Sequence, residues 1–206
     1  MRALASCALV FALSTTSACA QEQPDDAVTT AIALTRKTSA TYSLYTWNII
    51  TRSGNSTEQE WSAEFHQGNL HRVETPRDRI VADCAAMTGT YLQVETGEIV
   101  QGPNIARAAC GIQSNSKVLE ARITGERDSK FGKTRTVWIR DPDSIRTYDI
   151  AENGALVAAT IDDLESNHLL KAYAIELVGT VPSGIFEQGS LARSVVPERY
   201  KTVPSQ

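Results

Sequence analysis

The side chains that could do chemistry in this 206-residue chain are few. Histidines stand at His66, His71 and His168, and beyond residue 20 only Cys84 and Cys110 carry sulfur nucleophiles. A serine hydrolase of the elbow type needs Gly-x-Ser-x-Gly, which is absent. Neither a Gly-rich phosphate loop opening a helix nor a His-Glu-x-x-His pair occurs. The three histidines fall in strand or helix contexts without a matching nucleophile and read as surface or turn residues. Cys84 and Cys110 with His66 or His71 lack zinc-type spacing, so neither a metal nor a cofactor is expected. Asp141-Pro142-Asp143 sets two carboxylates close together, but no calcium-type ligand loop follows, so it reads as a solvated turn. Asn55-Ser56-Thr57 matches a glycosylation sequon and reads as accidental. No catalytic residue is assigned: the expectation is a non-enzymatic protein. The alternative is an exported enzyme with a dispersed site that includes His66, His71 or Asp83.

The N-terminus points to export. Arg2 is followed by the apolar run Ala3–Leu13, then Ala18-Cys19-Ala20 and the polar Gln21-Glu22-Gln23. A short apolar core with a small-x-small exit is a cleavable signal peptide, here cut after Ala20. Thr16-Ser17-Ala18-Cys19 supports a rival reading, a lipoprotein anchored through Cys19. Residues 21–206 then form one domain. Losing Arg2 with the signal takes the formal charge from −4 to −5. An acidic surface of mixed sign argues against nucleic acid as a partner, and no later stretch has the ~20 apolar residues of a transmembrane span. In an exported chain, Cys84 and Cys110 are expected to form one disulfide, worth about 3.5 kcal/mol by loop-closure entropy.

The elements that must position these residues follow from periodicity. Residues 25–38 read as a helix, with Val28, Ala31, Ile32 and Leu34 near one face. Strands are predicted at 42–51, 60–67, 70–75, 80–83, 90–95 and 99–101, with turns at 53–56, 67–69 and 96–98. Residues 102–117 fit a short helix or a loop stapled by Cys110. Further strands are predicted at 119–124, 134–140, 144–150, 156–161 and 171–178, with a hairpin at Asn153-Gly154 and a short helix at 162–170. The tail from Val181 carries Pro182, Pro197 and Pro204 and reads as irregular. The fold class is α+β, mainly β: a long, curved antiparallel sheet with an apolar concave face and a helix or two beneath it. Trp47, Trp61, Phe65, Tyr91 and Trp138 lie on the predicted strands. They pack a core or line a hollow for an apolar ligand, and a one-residue change of register exchanges the two faces.

Gly68-Asn69-Leu70-His71-Arg72-Val73-Glu74-Thr75-Pro76, Arg79-Ile80-Val81-Ala82-Asp83 and Tyr91-Leu92-Gln93-Val94-Glu95-Thr96-Gly97-Glu98-Ile99-Val100 resemble the central part of LolA-like periplasmic proteins. Thr136-Val137-Trp138-Ile139-Arg140-Asp141-Pro142-Asp143 is a weaker echo. Cys84 stands where that family usually has glycine. The resemblance implies an incomplete, strongly curved antiparallel β-barrel whose concave side is closed by short helices. It also implies a periplasmic carrier-like role, binding a lipid or the acyl chains of a lipoprotein, with no catalytic residues. A membrane protein of the inner or outer membrane would be a further partner. The alternative within the same fold is a regulatory interaction module, similar to periplasmic regulators that restrain an anti-sigma factor.

Overall fold

The computed structural model describes residues 24–35, 40–53, 56–110 and 118–202. The signal sequence and the lipidation alternative at Cys19 lie outside these residues, as does Asn55 of the sequon. Helix α1 spans Pro24–Thr35. Six strands follow: β1 (Thr41–Thr51), β2 (Thr57–Gln67), β3 (Leu70–Glu74), β4 (Asp78–Asp83), β5 (Thr88–Gln93) and β6 (Ile99–Gln101). Helix α2 (Pro103–Ala109) precedes β7 (Glu120–Ser129), β8 (Gly132–Arg140), β9 (Ser144–Ala151), β10 (Leu156–Asp163) and β11 (His168–Val178). The C-terminal segment then makes two 3-10 turns, Gln188–Ala192 and Glu198–Tyr200. No helix among the described residues is long and apolar enough to cross a membrane.

All strands join one antiparallel sheet in the order β6-β5-β4-β3-β2-β1-β11-β10-β9-β8-β7. Two meanders are thus joined where β1 pairs with β11, so the ends of the chain's β region meet at the centre of the sheet. The sheet does not close: β6 and β7 are its edges. It curls, however. A flat sheet would hold β8 about 14 Å from β11, three strand spacings away. Yet Lys130, in the β7–β8 turn, donates through Nζ to the Ile175 carbonyl of β11 at 3.1 Å. Phe131 in the same turn packs against the cluster of Tyr42, Leu44 and Ala174. The face that carries those residues is therefore concave.

Register assigns the faces. Strand alternation puts Tyr42, Leu44, Thr46, Asn48 and Ile50 of β1 on the concave side and Ser43, Tyr45, Trp47 and Ile49 on the other. Both helices lie on the concave side. Ala27, Val28 and Ala31 of α1 pack on Ala121, Val137, Ile139, Tyr148 and Ile150. Ala106 and Ala109 of α2 pack on Ala82 beside Val73 and Ile80. The expected disulfide is present: Cys84 and Cys110 are joined, tying the end of α2 to the end of β4.

Two turns differ from the sequence expectation. Residues 162–170, predicted as a helix, are the end of β10, a four-residue turn and the start of β11. The Asp163 carboxylate accepts the N–H groups of Glu165 and Ser166, and Asn167 takes φ 54°, so the polar run turns tightly instead of coiling. The same device follows β4, where Asp83 accepts from Ala85 and Ala86 and Met87 takes φ 52°. Second, Asp141 is not solvated. It is buried, accepts from the backbone of Asp143 and Ser144, and receives Arg146 at 2.6 Å.

Gly154 turns β9 into β10 against the end of α1. Its φ is +92°, and a Cβ there would lie 2.3 Å from the Leu34 carbonyl oxygen. Gly154→Ala is expected to cost ~1–3 kcal/mol, read as a lower urea midpoint. Gly97→Ala has the same kind of φ, +73°, but open space around it, and should cost less. Equal losses would show that contact with α1 contributes nothing.

Candidate functional site

The concave floor between the two helices is built by register. Ile50, Leu170 and Ile161 stand directly opposite one another on β1, β11 and β10. One pair further along, Asn48, Ala172 and Ala159 are opposed. The three large residues and the two alanines are each only half-buried. A row of large apolar side chains beside a row of methyls leaves a shallow apolar trough running across the strands. Ala159 and Ile161 border the α1 cluster. Asn48 is satisfied at the trough's edge, its Nδ2 donating to Ser62 Oγ at 3.0 Å.

A polar corner adjoins this floor where β2 turns into β3. Tyr42, Glu64, His66 and His71 share the concave face, because His66 pairs with both Tyr42 and His71. His66 and His71 are buried, contrary to the surface placement expected from sequence. The cause is register: both point inward under the disulfide. The His66 ring stacks on Tyr42 at 5.2 Å and meets His71 edge-on at 5.5 Å. Glu64 Oε1 lies 2.9 Å from His71 Nε2 and accepts the Tyr42 hydroxyl. Burial pushes the Glu64 carboxyl up, but His71, the Tyr42 hydroxyl and His66 together outweigh it and hold the group below its ordinary value. Burial, reinforced by the Glu64 charge, raises Tyr42 well above the usual phenol. His66, His71, Thr35, Asn69, Cys84 and Cys110 line a cavity of about 160 Å³, room for a few waters. Among the described residues no group of three or more His, Cys, Asp or Glu is placed to hold a metal.

The opposite face is covered by the C-terminal segment. Ile185, Val196 and Tyr200 pack on Tyr45, Ala63 and Phe65. Arg72, with no exposed surface, fixes this cover. It donates to the Ile185 carbonyl (2.6 Å), Ser190 Oγ (2.6 Å), the Arg193 carbonyl (3.0 Å) and Glu74 (2.8 Å). Glu74, equally buried, accepts from the Val195 backbone at 3.2 Å. Nothing in the sequence patterning singled out this pair; a charged residue at alternate positions of a strand reads as a solvated face.

The five aromatics divide between the faces. Tyr91 is on the concave side, its hydroxyl donating to Asp78 at 2.6 Å. Phe65 is fully buried beneath the C-terminal segment, and Trp61 packs beside it under Lys201 Nζ, 5.8 Å from its ring. Trp47 is directly opposite Trp61 on this same face and bonds Gln59 at 3.2 Å. Trp138 alternates with the inward Val137 and lies beneath the Arg122 guanidinium at 4.5 Å.

An open, curled antiparallel sheet with helices on its concave face is the architecture that the sequence resemblance implied. Sequence resemblance and observed architecture thus agree on the fold class. No family model matches the chain, and no curated protein matches it. Among solved structures, the chain is similar to an uncharacterized conserved protein from Thermus thermophilus, at 13% identity over 85% of this chain and 97% of that one, with a TM-score of 0.52. It is also similar to a LolA superfamily protein from Nitrosomonas europaea (8% identity, 82% and 100% covered, TM-score 0.46). MucB, solved in complex with MucA(peri), is a third (10% identity, 82% and 62% covered, TM-score 0.45). These likenesses concern fold alone.

The buried charges make two expectations testable. Because the folded state holds Glu64 below its ordinary value, its contribution to stability is complete above the unfolded carboxyl's pKa. It is lost as pH falls through the lower folded one. Glu64→Gln should therefore flatten the acid limb of a plot of urea midpoint against pH; an unchanged limb contradicts the assignment. Arg72→Met removes the nearer partner of buried Glu74, leaving Arg79 at 3.8 Å, and should cost ~3–5 kcal/mol. Adding Glu74→Leu should restore part of that loss, measured by urea unfolding.

Proposed function

We propose that the protein is an exported, non-enzymatic binding protein that shelters an apolar chain, from a lipid or an acylated protein, against the concave face of its sheet. The observation that carries this reading is the trough of Ile50, Leu170 and Ile161 beside Ala172 and Ala159, half-buried between two helices. Apolar side chains held in a groove yet left partly open are what a hydrocarbon chain needs. Each methylene moved there from water is favoured by about 0.8 kcal/mol. The disulfide suits an oxidising compartment, and with the signal sequence it supports the periplasm as the place of action. A carrier of this kind delivers to or collects from a membrane protein, which is the expected macromolecular partner.

Native mass spectrometry of the protein from its own compartment, followed by organic extraction, tests the reading. A lipid or acylated species near one-to-one is expected, and Ala172→Phe, which fills the trough, should lower its occupancy several-fold. A clean apo mass that persists after incubation with lipids and lipoproteins would overturn the proposal.

A further inference from the structure

The two ends of the trough differ. At the β10 end, Ala159 and Ile161 pack against the cluster that α1 anchors. Toward β2 the rows run on into charge. Glu58 stands directly opposite Ile50, and Glu60 directly opposite Asn48, so both carboxylates share the concave face. Arg52 follows Ile50 by two residues, and alternation sends it to the same face. Arg77, in the turn between β3 and β4, reaches back over β2 to both carboxylates.

These four side chains form one ion network. Arg52 Nη2 donates to Glu58 Oε2 at 2.9 Å, and Arg77 Nη2 donates to Glu60 Oε2 at 2.8 Å. Arg77 Nη1 lies 3.4 Å from Glu58 Oε1. The carboxylates are held differently. The Glu60 side chain is 14% exposed and belongs to Arg77 alone, whereas that of Glu58 is 41% exposed and stands between both guanidiniums. The Arg52 hydrogen bond, followed by the charge of Arg77, holds the Glu58 carboxyl below its ordinary value. The open end of the trough thus already holds a carboxylate in a clamp of two arginines. That carboxylate is carried on an exposed side chain that can rotate into solvent, while Glu60 keeps Arg77 in place. With Glu58 turned out, the two guanidiniums face one remaining carboxylate, which leaves an excess of positive charge beside Ile50.

We infer that Arg52 and Arg77 form the headgroup subsite of the trough. They take an anionic headgroup, a carboxylate or a phosphate, which replaces Glu58 while the hydrocarbon lies over Ala172 and Ala159. Glu58 neutralises the clamp when the trough is empty and makes it selective. A neutral headgroup has no charge with which to displace Glu58, and a cationic one meets two guanidiniums. This inference rests on the trough reading of the proposed function and narrows its ligands to anionic amphiphiles.

NMR titration of the mature chain, read at the Ile50 and Ala172 methyl groups, tests this with decanoate, decyl phosphate, decanol and decyltrimethylammonium. At low salt both anions are expected to bind about tenfold more tightly than decanol, and the cation more weakly than decanol. Arg77→Gln should remove most of the preference for the anions. Glu58→Gln, which takes away the resident charge, should raise the ratio of decanoate affinity to decanol affinity several-fold. Decanol binding as tightly as the anions, or a ratio that falls in Glu58→Gln, would overturn the headgroup subsite and leave the trough standing. Failure of every probe to shift the trough methyls, decanol included, would overturn the trough reading and this inference with it.

Discussion

A central strand apolar on both sides is the constraint on which this fold turns. Seven consecutive residues of β1, Tyr42 through Asn48, are buried, although alternation sends them to opposite faces. Such a strand cannot lie in a sheet with one wet face; each side needs a cover. Phe131 and its neighbours curl over the concave side at Tyr42 and Leu44. The C-terminal segment covers Tyr45 on the other side, where Tyr200 stacks on it at 3.9 Å. Beside those apolar contacts, backbone carbonyls gathered by Arg72 and Arg79 hold the segment in place. A fully buried guanidinium is stable there only because Glu74 and those carbonyls use its donors.

The arrangement divides the molecule's work between its faces. Cover on the convex side is dense and locked by buried charge. Cover on the concave side is two short helices set apart, α1 over β7–β9 and α2 over β3–β5, the latter packed through its alanines and tied by Cys84–Cys110. Gly89 lets α2 approach closely: a Cβ there would sit 2.7 Å from the Ala106 nitrogen. The half-buried trough lies between the two helices, with Ala159 and Ile161 packed against the cluster that α1 anchors.

Much of the architecture was legible in the sequence. Val28, Ala31 and Ile32 marked the buried face of α1, Asn153-Gly154 marked its hairpin, and the two cysteines marked their bond. The candidate site was less so. Sequence named aromatic residues as candidates, but register sends Trp47, Trp61, Phe65 and Trp138 to the convex side, while the trough is made of Ile, Leu and Ala that carry no chemical signal. The polar corner was missed for a related reason: His66 and His71 alternate in phase with Tyr42 only once β1, β2 and β3 are paired, and pairing is long-range information. The turn after Asp163 reads as a helix in sequence because Leu164-Glu165-Ser166 has the composition of a helical turn, while the left-handed Asn167 that closes it carries no such signal.

The most direct test of the concave trough is photocrosslinking with a fatty acyl probe carrying a diazirine along its chain, followed by peptide mapping of the full mature protein. Crosslinks at Ile50, Leu170 and Ile161, lost on competition with unlabelled lipid, are the expected result. Crosslinks confined to the convex residues, or none above background, would contradict a hydrocarbon site on the concave face.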